Sequence, residues 1–174
     1  MFNPIISILV SMLGSMIRCL FLASRPKTLV ASFIPIGMAW AYVCRYGSGL
    51  STVTLIVIFS SATLIQIGTN YANDYYDAQK GGDTHHRLGP KRFTATGLIP
   101  KEWMKWAAFT CFLSAFLLGL YLVWLGGIWI LIIGVLSIFF GYAYTGGPYP
   151  LAYNGLGDIF VLVFFGPVAF GTTV

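Results

Sequence analysis

The sequence predicts an all-α integral membrane protein, and three observations carry that prediction. Hydrophobic residues make up 57% of the chain and charged residues 9%, against about 25% charged in ordinary soluble domains. Apolar runs recur at close to the roughly 20-residue length that a bilayer core demands. The remaining polarity is gathered into two stretches between those runs. The net charge of +5 would point to nucleic acid in a soluble protein. Here the basic residues lie in loops beside the apolar runs, where they set orientation instead.

Residues 1–28 read as an N-terminal interfacial segment. Its apolar part, Ile5–Ile17, covers about 13 residues and is followed by Arg18. A signal peptide would carry its positive charge before the apolar region and small residues after it, so the order is reversed. An interfacial or partly inserted helix is expected. Residues 29–174 then form a membrane domain of five spans, over about Leu29–Tyr46, Thr52–Asn73, Trp103–Leu125, Ile128–Tyr144 and Leu156–Val174. Pro35 should kink the first span. Gly126-Gly127 should make the third and fourth a tight hairpin.

Orientation follows from the basic residues. Arg18, Arg25 and Lys27 precede the first span, and Lys80, Arg87, Lys91, Arg92, Lys101 and Lys105 lie between the second and third. Arg45 is the one basic residue on the other side. The bias places the N-terminus and the 74–102 loop in the cytoplasm of a multi-pass protein of the inner (plasma) membrane. Trp103 and Trp106 then mark the cytoplasmic interface, and Trp124 and Trp129 the far one. Cys19, Cys44 and Cys111 sit in or beside apolar runs without CxxC spacing and read as small buried hydrophobes.

Chemistry concentrates in Gln66-Ile-Gly-Thr-Asn70-Tyr-Ala-Asn73-Asp74-Tyr-Tyr-Asp77. On a helix the four- and three-residue steps put Gln66, Asn70, Asn73, Asp74 and Asp77 on one face. Ionised carboxylates near a bilayer core cost roughly 2.5–3.5 kcal/mol each and repel one another, so the stripe should face a wet cavity. A hard cation is its natural occupant. Asp74 and Asp77 can each offer an oxygen to Mg²⁺, which prefers to share its shell with substrate phosphates. Asn70 and Asn73 would add neutral oxygens or hold the carboxylates, and Asp83 extends the stripe. The competing reading is a capped or solvated helix end, where Asp and Asn are common. A stripe that begins at Gln66, inside the span, argues against it.

The adjoining loop, Gly81 to Gly97, is rich in glycine and basic residues. Arg87, Lys91 and Arg92 are candidates to bind phosphate oxygens. The positive-inside bias explains such charges equally well; adjacency to the acids favours phosphate. His85 and His86 lack an i, i+4 partner and read as loop residues. A third stretch, Tyr142 to Asp158, carries several tyrosines. Tyr142 and Tyr144 are interfacial anchors or the lining of an aromatic pocket that stabilises a cation.

Together these features describe a membrane enzyme acting on a lipid diphosphate, and they carry a family resemblance. Asn73-Asp-Tyr-Tyr-Asp77 with Asp83 resembles the first aspartate-rich motif of the UbiA-type aromatic prenyltransferases. Arg92-Phe-Thr-Ala-Thr-Gly97 is similar to the Arg-Pro-Leu-x-Ser-Gly segment that follows it there. Ser24-Arg-Pro-Lys-Thr28, Arg87-Leu-Gly-Pro90 and Tyr144-Thr-Gly-Gly-Pro148 with Gly155-Leu-Gly-Asp158 resemble the branch that prenylates 1,4-dihydroxy-2-naphthoate in menaquinone synthesis. The resemblance covers about residues 24–174.

It implies a Mg²⁺-dependent prenyltransferase in which Asp74 and Asp77 are catalytic. The metal would bridge them to the diphosphate of a polyprenyl donor, while Arg25, Lys27, Arg87, Lys91 and Arg92 bind the leaving group. The allylic carbocation would attack an electron-rich ring carbon of the aromatic acceptor, with loss of CO₂ in the naphthoate branch. Two departures are expected to matter. The superfamily often carries Tyr-x-x-x-Lys after its fourth helix, whereas Gly146 stands four after Tyr142. The family bundle also has nine helices and a second aspartate-rich motif. Five spans ending at Val174 therefore read as its N-terminal part, a split or inactive fragment without a second chain to supply further helices. Two rival readings fit the residues less well. A CDP-alcohol phosphotransferase would need Asp-Gly-x-x-Ala-Arg, and after Asp77 come Ala78-Gln79-Lys80-Gly81. Half of an ion-coupled transporter would place its acids nearer mid-bilayer.

Overall fold

The computed structural model describes residues 4–47, 49–80 and 92–174, and these are all-helical, with no strand among them. Asp83, Arg87 and Lys91, with His85 and His86, lie outside the described residues. Helix α1 spans Pro4–Ala23, α2 Pro26–Tyr46, α3 Thr52–Gln79, α4 Lys101–Gly126 and α5 Ile128–Ala143. A 3₁₀ turn at Leu151–Asn154 leads to α6 (Gly157–Val163), a π turn (Phe164–Val168) and α7 (Ala169–Gly171).

Of these, α2, α3 and α4 are long and apolar enough to cross a membrane. The apolar stretches Val10–Ala23, Ile128–Ala143 and Gly157–Gly171 are shorter. The expected fifth span over Leu156–Val174 is not one continuous α-helix. Pro167 lacks the N–H that an α-helix needs, and its ring disfavours helical backbone at the preceding residue. Gly166 accordingly leaves helical geometry, at φ −113° and ψ −105°, and the helix changes pitch there.

Helix α1 is longer than its apolar run suggested, reaching Ala23. It keeps Val10, Leu13, Ile17 and Phe21 exposed, and it touches α3 through the Tyr71 hydroxyl, which donates to Leu20 O at 3.0 Å. Helix α2 starts at Pro26, where a missing N–H costs nothing. It remains one assigned helix through the buried Pro35.

Helix α3 is the spine. Ser51 caps it, its hydroxyl accepting from Thr54 N at 3.0 Å. Its 28 residues make a rod of about 42 Å, longer than the roughly 30 Å hydrocarbon core. The polar residues Asn73–Asp77 are carried on its last turns, as their spacing predicts, and the helix runs past the expected end of the span at Asn73. Two glycines let α3 be approached closely. A Cβ at Gly68 would lie 2.9 Å from the Phe112 ring of α4, and one at Gly141 of α5 would lie 2.5 Å from Thr69 Oγ1. The expected hairpin is present: α4 and α5 are joined by Gly127 alone, at φ +74°, a left-handed conformation that favours glycine.

The buried core gathers at the Asp77 end of the bundle, where Tyr71 and Ala72 of α3 meet Phe93, Ile99, Met104, Ala108 and Phe112. Toward the other end α2, α3, α4 and α5 draw apart around a cavity. The outer surfaces are apolar, with Val30, Leu117, Trp124 and Leu162 exposed, as lipid-facing helices require.

Candidate functional site

The structure divides the polar stripe of α3 into two faces. Gln66, Asn70 and Asn73 line a cavity of about 950 Å³ that also borders Arg25, Tyr144 and Phe160. Asp74 and Asp77 do not border it. They turn toward the segment that starts at Arg92, and each is 2% exposed.

Asp74 is held by backbone. Phe93 N donates to its Oδ2 at 3.0 Å and Thr94 N to its Oδ1 at 2.9 Å. Successive N–H groups of a turn make an anion-binding concavity. The Arg92–Gly97 turn supplies it because Gly97 N returns to Thr94 O at 3.1 Å and Ile99 N to Phe93 O at 3.2 Å. The segment read from sequence as phosphate-binding thus gives two of its own donors to a carboxylate. A carboxylate has about four acceptor sites, so both Asp74 oxygens keep a further lone pair.

Asp77 is held by side chains. The Arg92 guanidinium forms a buried ion pair with its Oδ2, and the Tyr153 hydroxyl donates to its Oδ1. The Nε and NH1 donors of Arg92 are buried and have no partner among the described residues. Tyr153 is fixed in turn by Lys80, whose ammonium lies 4.6 Å from the ring centroid and donates to Thr145 O at 2.9 Å. Thr145 Oγ1 donates to Asn73 Oδ1 at 2.7 Å. The 144–156 segment is therefore tied to the last two turns of α3 at three points.

The amides act as ties between elements. Asn70 Nδ2 donates to Ser24 O at 2.8 Å and to Thr28 Oγ1 at 3.1 Å, and Gln66 Nε2 donates to Thr28 Oγ1 at 3.4 Å. These bonds fix the α1–α2 corner, where Arg25 takes the one positive φ among the described non-glycine residues, at 53°. A strained backbone held by its surroundings marks a functional site more often than chance. Lys27, the second residue of α2, is exposed and does not line this cavity.

The two tyrosines separate. Tyr142 packs edge-on against Tyr76 at 5.4 Å and is 43% exposed, whereas Tyr144 lines the cavity. Burial raises the Tyr144 phenol above its usual pKa; the Asp158 and Asp77 carboxylates add to the rise and the Arg25 guanidinium opposes it. It is a neutral aromatic group at working pH. Gly146 leaves no room for a side chain, since a Cβ there would lie 2.7 Å from the Tyr76 ring. The contributions of Tyr153, Thr145 and Lys80 were not legible as site chemistry in the sequence, where they read as anchors and loop charge.

Against known proteins, the model of the UbiA prenyltransferase family matches residues 32–174. The chain belongs to this family. The 1,4-dihydroxy-2-naphthoate octaprenyltransferase of Escherichia coli is 41% identical over 148 residues, 82% of this chain and 48% of that protein. The protein of the same name from Haemophilus influenzae is 34% identical over 170 residues, 93% of this chain and 55% of that one. A 2-carboxy-1,4-naphthoquinone phytyltransferase from Synechocystis is 33% identical over 158 residues, 87% and 49% respectively. The chain spans about half the length of the curated relatives it matches. No solved structure matches.

In this UbiA-family chain the donor set around Asp74 and Asp77 is all hard oxygen, which suits Mg²⁺ and not a thiolate- or imidazole-loving metal. Among the described residues no group of three or more Asp, Glu, His or Cys side chains gathers. Two carboxylates make an incomplete shell, which phosphate oxygens and water would have to finish.

Proposed function

We propose that these helices serve a membrane enzyme that transfers a polyprenyl group from its allylic diphosphate to 1,4-dihydroxy-2-naphthoate, in menaquinone synthesis. The observation that carries this reading is the buried Asp74–Asp77 turn, with Arg92 against it, on the helix whose other polar face, Gln66, Asn70 and Asn73, lines a largely apolar cavity. Membership of a prenyltransferase family and relatives named for the naphthoate support it.

Asp74 and Asp77, with Asp83 after them in the sequence, would hold Mg²⁺, which when bound neutralises charge on the donor diphosphate, while Asn70 and Asn73, on the cavity face, tie α3 to its neighbours rather than to the metal. The unfilled donors of Arg92, the Arg25 guanidinium at the cavity wall, and Lys27, Arg87 and Lys91 stabilise the charge that grows as the diphosphate leaves. The allylic C–O bond breaks with its electron pair on the diphosphate. A new C–C bond forms at the ring carbon that bore the carboxylate, and that carboxylate departs as CO₂, returning its bonding pair to the ring. The aromatic face of Tyr144 shields the allylic cation. Hydrocarbon lining from Phe140, Phe160 and Phe164 excludes water that would hydrolyse it. The Asp77 end faces the cytoplasm, as the basic residues of that end suggest.

The test is photo-labelling of the chain in membranes with a benzophenone-bearing allylic diphosphate, together with transfer to the naphthoate. Labelling should need Mg²⁺, be competed by prenyl diphosphate and be lost in Asp77→Asn. Labelling that survives chelation, or that prenyl alcohol competes equally well, overturns the reading.

A further inference from the structure

Four glycines of α3, α4 and α5 fall into two kinds. Gly68 and Gly141 are packed, each with a neighbour that a Cβ would strike. Gly119 of α4 and Gly134 of α5 are not, because a Cβ at either would meet nothing within 4 Å. Glycine weakens a helix interior, and in membrane bundles it is usually tolerated where it lets two helices touch. Among the described residues no helix packs on Gly119 or Gly134. Both border the same cavity.

Their depths agree. Gly119 lies seven residues below Phe112, which packs on Gly68, itself six residues below Asp74; at 1.5 Å per residue the total is about 20 Å. Gly134 lies seven residues below Gly141, which packs on Thr69, five below Asp74; that total is about 18 Å. Two helices therefore omit their side chains at one level of the cavity.

We propose that Gly119 and Gly134 determine which prenyl chain lengths the cavity accepts, by keeping it open at this level. The inference rests on the donor reading above. With the diphosphate at Asp74 and Asp77, an extended isoprene unit of four carbon–carbon bonds spans about 5 Å. The third or fourth unit then reaches the two glycines, and longer donors must pass between them. The cavity continues beyond, to Ser51, Thr54 and Gly126, so the level is a passage and not its floor.

The experiment compares two-, three-, four- and eight-unit prenyl diphosphates as competitors of photo-labelling in membranes carrying the chain. The proteins are wild type, Gly119→Phe, Gly134→Phe and the two alanine variants. Filling a hydrocarbon pocket discriminates by about tenfold or more. Each Phe variant should keep its affinity for the two-unit donor and weaken at least tenfold toward the eight-unit donor. The alanine variants should retain the wild-type order. An unchanged length preference in both Phe variants, or an equal loss at every length, overturns this inference while the donor reading stands. If wild type takes no prenyl diphosphate of any length, the donor reading fails and this inference with it.

Discussion

The two ends of the α3–α4–α5 packing are built on opposite rules. At the Asp77 end four polar residues of α3 are buried and tied: Asp74 to a backbone turn, Asp77 to Arg92 and Tyr153, Asn73 to Thr145, Asn70 to Ser24. About 20 Å away, the same three helices border a cavity, and a Cβ at Gly119 or Gly134 would touch nothing. Buried charge tolerates one geometry, because an unpaired carboxylate or guanidinium is costly. A hydrocarbon wall tolerates many, because dispersion contacts have no direction. A rigid charged end and an adaptable apolar end suit a ligand with one charged head and a long tail.

The sharpest way to break this contrast is at the ion pair. Asp77→Ala leaves Arg92 buried without its carboxylate, and should cost about 3–5 kcal/mol in unfolding free energy. Thermal denaturation in detergent measures it. The double variant Asp77→Asn/Arg92→Met should recover much of that stability and none of the Mg²⁺-dependent labelling. Recovery of both would mean that the pair is structural alone.

Next in size is the glycine comparison. Gly68→Leu drives a side chain into Phe112 and should cost about 1–3 kcal/mol. Gly119→Ala meets open space on a helix interior and should stabilise by about 0.5–1 kcal/mol. Parallel melting curves read both, and like signs would erase the distinction between packed and open glycines. Ser51→Ala removes the α3 cap beside the far end of the cavity and should cost about 1 kcal/mol, without changing labelling at the Asp77 end. The smallest effect is expected at Lys105→Ala. Its partner Glu102 is 4.0 Å away, with side chains 56% and 70% exposed, and such pairs contribute about 0.2–1 kcal/mol at most.

Much of this was readable in order along the chain. The apolar runs at α2, α3 and α4 stand where expected, as does the Gly127 hairpin, because length and hydropathy are properties of a segment. The spacing of Gln66, Asn70, Asn73, Asp74 and Asp77 marked the polar end of α3 because helical neighbours are three and four residues apart. The break at Gly166-Pro167 lies in a Gly-Pro pair inside the apolar run over Leu156–Val174, whose apolar flanks mask a local backbone defect. The division of the stripe was not readable. Asp74 and Asn73 are adjacent, and only the position of the Arg92–Gly97 turn and the 144–156 segment decides that one meets backbone amides and the other the cavity side.

The sequence by itself therefore determined a helical membrane chain, the helix that carries the acids and the family to which it belongs. The first two rest on composition and on spacing within one segment, and the third on a resemblance carried by several short motifs between residues 24 and 158. Tertiary structure alone decided the partners of Asp77, one 15 and the other 76 residues away. It also decided that Gly68 is packed while Gly119 faces space. Nothing local distinguishes two glycines in two apolar helices. What separates them is which neighbouring helix arrives beside each, and that is set by the packing of the whole bundle.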